Sequence, residues 1–262
     1  MIKKGDKKAQ ITIFIIISIL LISAVILLFF LINEKKTDSK ISPEENPEQI
    51  IKECIEDDLR NIIKKISYQG GSYNPDLYRN FKKKNEEKSW NVSYLCYTNE
   101  YYTPCISQEP VLKEHLKNEI RNQISENVSS CFNNLVESLN KKGYEVNSQY
   151  NGFNITLFTK KIEININSRL DYEKSDKKIT KKDMKIIIPT RFYDLARTAQ
   201  EISSQESKYC NFERIGYMMF YPDIKIDFYR VGNTKIYNLK HKSSNEIFRF
   251  AIRTCATSPG II

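Results

Sequence analysis

The longest predominantly apolar stretch of the chain extends from Ile11 to Ile32, contains no charged residue, and has only Thr12, Ser18 and Ser23 as polar side chains. An α-helix rises about 1.5 Å per residue, so a helix over this run would be roughly 33 Å long, close to the thickness of a bilayer's hydrocarbon core. Apolar side chains would occupy every face of that helix, whereas a surface helix of a globular domain keeps one face polar. The pattern therefore predicts a transmembrane helix over residues 11–32.

Charge is distributed unevenly around this run. Residues 1–10 carry four lysines against a single aspartate, whereas the segment after the run mixes lysines with acids. Basic residues that flank a first transmembrane helix tend to stay in the cytoplasm. We therefore expect residues 1–10 to form a cytoplasmic tail, residues 33–46 a linker, and the rest of the chain the extracellular part of a single-pass protein of the cell membrane.

Two stretches after the linker have the three- and four-residue spacing of amphipathic helices. The first begins at Asn46-Pro47, which combines a capping side chain with proline at the first helical position, and it ends at Gly70-Gly71. The second covers Val111–Leu139 and ends at Gly143. Together they predict a helical extracellular segment over residues 47–142.

From residue 143 the period changes to two, which is typical of half-buried strands. The pattern predicts a type I′ hairpin turn at Asn151-Gly152, another turn at Gly232-Asn233, and a further helix that starts at Pro189-Thr190. The predicted strands occupy residues 144–150, 153–159, 161–167, 169–174, 178–188, 224–231, 235–241 and 247–255. Residues 143–262 are therefore expected to form an α+β extracellular segment.

These elements predict an α+β fold for the whole chain. It consists of an N-terminal transmembrane helix, two long helices, and then an antiparallel β-sheet with one further helix.

An aromatic-rich insertion, residues 68–105, separates the two long helices and contains one strand candidate at Val92–Tyr97. Aromatic side chains with a polar tip offer flat apolar area and hydrogen bonds, so the insertion is a candidate surface for binding a glycan or a protein. The alternative is that these side chains only cover the helix that follows. The candidate binding residues are Trp90, Tyr94, Tyr97, Tyr101 and Tyr102.

The chain has an even number of cysteines in the part placed outside the cell, and oxidising surroundings favour disulfides. Cys54 and Cys131 fall on the predicted inward faces of the two long helices, so we expect these two to pair. Two others bracket a short loop that a local disulfide would close, and two are left as a third pair. The six are Cys54, Cys96, Cys105, Cys131, Cys210 and Cys255.

No catalytic or cofactor motif occurs in the sequence, whether a phosphate-binding loop, a nucleophile elbow or a zinc-protease helix. No C-x-x-C occurs, and His115 and His241 lie far from any cysteine pair in sequence, so a metal site is not expected. The net charge of +9 is spread over many positions. We therefore expect no cofactor, no nucleic-acid partner and no enzymatic activity. The alternative is an enzyme in which one histidine meets an acid and a nucleophile in a cleft.

The residues directly before the apolar run, Lys7-Lys8-Ala9-Gln10, resemble the class III (prepilin-type) signals of archaeal pilins and archaellins. This resemblance implies cleavage between Ala9 and Gln10 by a prepilin-type peptidase, which would leave the helix on the mature protein. Phe14 departs from the pattern, because bacterial type IV pilins usually carry glutamate at that fifth mature position. The layout as a whole is similar to that of uncharacterised single-pass proteins of small-genome archaea, for which no activity is known. The features shared with them are the KKxQ start, Cys54, Gly70-Gly71 and Ser130-Cys131.

Our leading hypothesis is a membrane-anchored cell-surface structural or assembly protein of pilin-like type. Its expected partners are the lipid bilayer, the peptidase and other surface proteins. The alternative is an extracellular domain that binds a glycan or a protein, and a membrane-tethered enzyme comes third. Sequons at Asn91, Asn127 and Asn154 permit glycosylation outside the cell.

Overall fold

The computed structural model describes residues 16–27, 46–175 and 177–255. The chain divides into two compact units, Met1–Ile41 and Ser42–Ile262. In the first, residues 16–27 form a helix, α1, whose side chains are exposed throughout. The predicted transmembrane run extends beyond α1 at both ends, so part of it lies outside the described residues. Within the described ranges, no helix combines the length and the apolar character needed to cross a membrane.

The second unit is a mixed α+β structure, which confirms the predicted class. Its elements are α2 (Pro47–Tyr68), β1 (Tyr78–Phe81), β2 (Trp90–Tyr97), β3 (Ile106–Ser107), α3 (Leu112–Lys141), β4 (Glu145–Phe158), β5 (Lys161–Lys174), β6 (Lys177–Pro189), α4 (Phe192–Tyr209), α5 (Arg214–Phe220), β7 (Ile224–Val231), β8 (Thr234–His241) and β9 (Ile247–Arg253).

Helix α2 begins and ends where its capping residues predict. The Asn46 side chain accepts a hydrogen bond from the main-chain N–H of Gln49 at 3.1 Å, which satisfies one of the free donors of the first turn. Gly70 and Gly71 follow the helix with φ of +75° and +103°. A Cβ atom on Gly70 would lie 2.8 Å from the carbonyl oxygen of Ser93. Glycine is therefore required both for the backbone conformation and for the close approach to β2.

Helices α2 and α3 lie antiparallel. Cys54, in the first half of α2, is bonded to Cys131, in the second half of α3, with 5.9 Å between their Cα atoms. This pairing agrees with the prediction, but the prediction that both cysteines lie on inward-facing sides of their helices is correct only for Cys131. Cys131 is buried, whereas Cys54 lies at the exposed margin of the helix contact.

The larger sheet has the order β1-β2-β9-β8-β7, with β3 paired to the other end of β2. Strands β2 and β9 are parallel, whereas the sequence predicted an antiparallel sheet. Their two segments are separated by most of the chain, so no tight turn fixes their relative direction as it does in the β7–β8 hairpin. That hairpin turns at Gly232-Asn233, as predicted.

The smaller sheet has the order β4-β5-β6 and is antiparallel throughout. The predicted hairpin turn at Asn151-Gly152 is wrong, because both residues lie inside the single strand β4. They form a bulge, where the pairing with β5 shifts between Tyr150 and Phe153. The chain reverses instead at Thr159-Lys160, where Lys160 adopts φ of +69°.

Both sheets share one hydrophobic core with the helices. Helix α2 contacts α3, β6 of the smaller sheet and β9 of the larger one, and α4 packs across β9, β2 and β8. Buried residues from Ile51 of α2 to Ile252 of β9 belong to the same cluster. The predicted segments 47–142 and 143–262 are therefore parts of one packed unit.

On the opposite face of the larger sheet, a buried arginine fixes the loop between β1 and β2. Arg249 is fully buried and forms two hydrogen bonds to the Glu86 carboxylate, of which the Nη1–Oε2 contact is 2.9 Å. Its guanidinium also lies over the rings of Tyr68 and Phe81, 5.1 and 5.2 Å from their centroids. Burial raises the pKa of Glu86, but the hydrogen bonds and charge of Arg249 outweigh burial, and the pKa is lowered overall.

Candidate binding surface

The aromatic residues singled out in residues 68–105 do not form one surface. Trp90 and Tyr94 are buried in a small cluster between β1, β2, β8 and β9, and Tyr97 is partly buried. Only Tyr101 and Tyr102 are exposed, with 55% and 91% of their surface accessible. The candidate aromatic surface is therefore reduced to these two tyrosines.

These tyrosines lie on a loop closed by a disulfide. Cys96 ends the buried part of β2 and is bonded to Cys105, with 5.3 Å between their Cα atoms. The third bond joins Cys210, just after α4, to Cys255, just after β9, with 5.6 Å between their Cα atoms. All three pairs agree with the predicted pairing.

A second exposed apolar surface lies on and around the short helix α5, which the sequence pattern did not predict. Ile215, Met219, Phe220 and Tyr221 are between 50% and 84% exposed, and Tyr209 at the end of α4 is 72% exposed. We call these five residues the α5 patch. Clusters of exposed large apolar side chains are typical of contact surfaces, and four of these five lie close together in sequence, from Ile215 to Tyr221.

Helix α5 is held in place by its other face. The Tyr217 hydroxyl lies 3.1 Å from Glu201 and 3.3 Å from Thr198 on α4. Burial raises the pKa of Tyr217 to about 12. Met218 accepts the main-chain N–H of Ile226 on β7 at 3.3 Å. The α5 patch is thus carried by a helix that contacts both α4 and β7.

Next to the patch is a cavity of about 190 Å³, which we call the arginine cavity. Its lining includes Arg214, Phe228 and Arg230, and both guanidinium groups lie over the Phe228 ring, 5.6 and 5.8 Å from its centroid. Among the described residues, neither arginine has a carboxylate within ion-pair distance. The remaining lining residues are Asn211, Phe212, Glu213, Ile215, Lys235 and Tyr237.

The carboxylates near this cavity are engaged elsewhere. Glu213 accepts hydrogen bonds from the main-chain N–H groups of Ile215 and Gly216 in the first turn of α5. Glu206 is fully buried and accepts two hydrogen bonds from Lys235, at 2.6 and 2.9 Å. The Tyr237 hydroxyl also donates to Glu206, and burial, followed by the Glu206 charge, raises the pKa of Tyr237. The positive charge of Lys235 is therefore balanced within the protein.

Strand β7 borders the arginine cavity and is an edge of the larger sheet, paired only with β8 within the described residues. In an antiparallel pair, alternate residues direct both main-chain groups away from the partner strand. The bond from the Ile226 N–H to Met218 shows that Ile226 is one of these outward-facing residues. The two-residue alternation then assigns Phe228 and Arg230 to the same set, and we call their outward main-chain groups the β7 edge.

His115 does meet an acid and a hydroxyl, as the enzyme alternative requires. Its Nε2 lies 3.1 Å from Ser72 Oγ, and its Nδ1 lies 3.4 Å from Glu109 Oε2. However, the N–H of Tyr73, the residue after the serine, donates to Glu119 at 2.7 Å. In acyl transfer, that N–H commonly stabilises the oxyanion. Here the Glu119 carboxylate occupies the donor and would repel an oxyanion, so the cluster fits a role in joining α3 to the Gly-Gly turn.

His241 is buried at the end of β8. Its Nδ1 lies 3.2 Å from the hydroxyls of both Ser243 and Ser244, which form the turn to β9. No carboxylate contacts this histidine among the described residues. A metal site is not formed within the described residues either, because no three of their His, Cys, Asp or Glu side chains are grouped closely enough to hold an ion.

A cavity of about 250 Å³ lies beside this turn, between α2 and the start of α4. Two of its charged side chains, Arg60 and Glu246, are already engaged within the protein. Arg60 is paired with Glu56 at 2.5 Å, and Glu246 accepts the main-chain N–H of Arg191. The two cavities differ in this respect. Among the described residues, Arg214 and Arg230 of the arginine cavity have no carboxylate partner, whereas Arg60 of this cavity does.

Two features of the candidate surface, helix α5 and the buried Glu206, have recognisable signals in the sequence. The apolar run Ile215–Tyr221 is long enough for two helical turns and is a signal for a short helix. Glu206 continues the buried stripe of α4 four residues after Ile202. An acid on an apolar stripe indicates a buried cation partner, but nothing local identifies that partner as Lys235.

The chain matches no protein-family model, no curated protein and no solved structure. The predicted processing site, Ala9 and Gln10, lies outside the described residues.

Proposed function

We propose that this protein is a membrane-anchored cell-surface assembly protein whose folded unit works by contact with other proteins. The apolar run 11–32, with its lysine-rich tail, supports the anchor and its orientation. Three disulfides in the folded unit support an oxidising location outside the cytoplasm. Cleavage before Gln10 would make the protein pilin-like.

The α5 patch is the observation that carries the proposed contact function. Burying one large apolar side chain contributes about 1.5–3 kcal/mol, so the exposure of three on one short helix, with Tyr221 directly after it, is costly unless a partner covers them. The adjacent β7 edge favours a protein partner over lipid, because its N–H and C=O groups require hydrogen bonds that acyl chains cannot form.

Tyr101 and Tyr102 support a second candidate function, the binding of a glycan or protein ligand. They stand on a disulfide-closed loop, so little conformational entropy is lost when a ligand orders them. Both candidates are contact functions, and they differ in the surface that is used.

Topology and processing are tested on the full chain in intact cells. A cysteine introduced at Ser39 should react with a membrane-impermeant thiol reagent, and one introduced at Asp6 should not. Mass spectrometry of the mature protein should find Gln10 as the first residue. Reversed labelling would refute the orientation, and an intact Met1 or Ile2 start would refute the pilin-like form.

The contact function is tested by placing a photoreactive phenylalanine analogue at Phe220 or, as a control, at Phe158. Phe158 is also exposed but is the last residue of β4, in the smaller sheet. We expect the Phe220 probe to crosslink to protein on the cell surface, and the Phe158 probe to give no adduct. Crosslinking from both positions, or only to lipid from Phe220, would contradict a specific contact at α5.

Two double variants distinguish the candidate surfaces. Met219→Ser/Phe220→Ser should abolish assembly into larger complexes, measured by sedimentation of the solubilised protein, while Tyr101→Ser/Tyr102→Ser should not. The opposite result would favour the ligand-binding function. All four side chains are exposed, so neither variant removes core packing.

A further inference from the structure

The β7 edge lies beside Arg214 and Arg230, for which the described residues offer no carboxylate within ion-pair distance. Side chains of a strand alternate between the two faces of a sheet, so Phe228 and Arg230 share the face that carries Lys235 and Tyr237 on β8. A strand added next to β7 would direct every second side chain to that same face. Such a side chain would enter the arginine cavity.

Helix α5 leaves only part of β7 available. Met218 occupies the outward N–H of Ile226, which closes the first half of the strand. Phe228 and Arg230 follow with their outward main-chain groups free of any partner among the described residues. The open part of the edge therefore consists of the outward main-chain groups of Phe228 and Arg230, next to the cavity.

The charge of the cavity favours an acidic occupant. Arg214 and Arg230 are exposed and line the same cavity, so an anion bound there would lie near two positive charges. A guanidinium binds a carboxylate through two parallel N–H donors, and such charge-assisted bonds are about twice as strong as neutral ones. The apolar Phe228 and Ile215 side chains in the same cavity favour apolar residues on either side of the acid.

We infer that the β7 edge binds an extended acidic segment of a partner protein, which adds to the sheet as a further strand. Its carboxylate lies between Arg214 and Arg230, and its main chain pairs with Phe228 and Arg230. The inference rests on the proposed contact function and names the chemistry of the partner. Main-chain pairing provides affinity, and the acid fixes the register of the added strand.

The test uses the full chain in detergent micelles and a fluorescent peptide of alternating valine and threonine with one central glutamate. A second peptide carries glutamine in place of that glutamate. Fluorescence anisotropy should show that the glutamate peptide binds at least about tenfold more tightly, as expected for a charge-assisted pair. No saturable binding, or equal binding of the two peptides, would refute the inference.

Substitutions of exposed arginines locate the site. Arg214→Gln and Arg230→Gln should each reduce the affinity for the glutamate peptide about tenfold and leave the affinity for the glutamine peptide unchanged. Arg79→Gln is the matched control, because Arg79 is an exposed arginine on β1, the other edge of the same sheet. Equal losses in all three variants would indicate nonspecific attraction to positive charge and would refute the site.

Hydrogen–deuterium exchange resolved to single amides tests strand addition itself. The amides of Phe228 and Arg230 should exchange rapidly in the free protein and slowly with the glutamate peptide. The amide of Tyr229 faces β8 and should be protected in both states, so it serves as the internal control. Slow exchange at Phe228 without peptide would show that the edge is already covered, and would overturn the inference.

Two further results separate this inference from the proposed function. Vesicles of phosphatidylglycerol serve as an anionic surface with no polypeptide, and arginine-dependent binding to them without peptide binding would refute strand addition. If Arg214→Gln/Arg230→Gln retains the assembly that Met219→Ser/Phe220→Ser loses, the contact function stands and strand addition fails. If none of these changes affects assembly, the contact at α5 itself is wrong.

Discussion

The Cys54–Cys131 disulfide closes the longest loop of the three disulfides and should therefore contribute the most to stability among them. It joins positions 77 residues apart. The crosslink therefore lowers the conformational entropy of the unfolded chain by closing a long loop. In the chain-entropy model, closing such a loop stabilises by about 4.5 kcal/mol at 25 °C, less any strain in the folded state. For a unit of roughly 200 residues, that corresponds to a loss of about 9–18 °C in Tm when the bond is absent.

The cleanest perturbation is the single variant Cys54→Ser. Cys54 is exposed, so the replacement breaks the crosslink with little change in core packing. The double variant Cys54→Ser/Cys131→Ala adds the removal of a buried sulfur at Cys131. We expect the single variant to show nearly the whole loss and the double variant about 1 kcal/mol more.

Guanidinium unfolding of the full chain, with and without the bond, measures both values. A loss below about 1 kcal/mol in Cys54→Ser would refute the entropic reasoning. A loss that appears only in the double variant would show that packing at Cys131, and not the crosslink, stabilises the helix pair.

Three further predictions concern the fold, and each is measured by the denaturant midpoint. Lys235→Met should cost about 3–5 kcal/mol, because it leaves the fully buried Glu206 charge without its cation, and adding Glu206→Gln should recover most of the loss; a neutral Lys235→Met would contradict this. Gly71→Ala should cost more than Gly152→Ala, since both have positive φ but only a Cβ at position 71 would meet a leucine of α3, at 3.1 Å. The pKa of Glu86 is lowered in the folded state, so the contribution of Glu86 to stability is present above its unfolded pKa and is lost as pH falls through the lower folded value. The difference in unfolding free energy between wild type and Glu86→Gln should therefore shrink on acidification. A difference that does not change with pH would refute the Glu86–Arg249 pairing.

Much of the helical part of the structure followed from local sequence. The caps and stops of α2 are set by Asn46-Pro47 and Gly70-Gly71, since a capping bond and a positive φ are properties of one or two residues. The three- and four-residue spacing gave the buried face of α3, and with it the partner of Cys54. These features depend on contacts within a few turns of one helix.

The sheets were predicted less completely because strand pairing is not local. Asn151-Gly152 has the sequence of a tight turn, but the register with β5 continues across it and makes it a bulge. Burial of Trp90 and Tyr94 depends on β8 and β9 closing over β2, and those strands arrive from the far end of the chain. An aromatic residue has the same sequence signature on a binding face and in a core.

The candidate binding surface was decided by tertiary structure alone. Whether Phe228 and Arg230 present their main-chain groups to solvent depends on β7 being the last strand of its sheet, and strand order is set by pairings between distant segments. Within the described residues Arg214 has no counter-ion, because Glu213 caps α5 and Glu206 binds Lys235. The sequence by itself indicated the long helices, most of the strands and the cysteines available for pairing. The fold determined which charges and which strand edge are left without partners, because only packing in three dimensions allocates them.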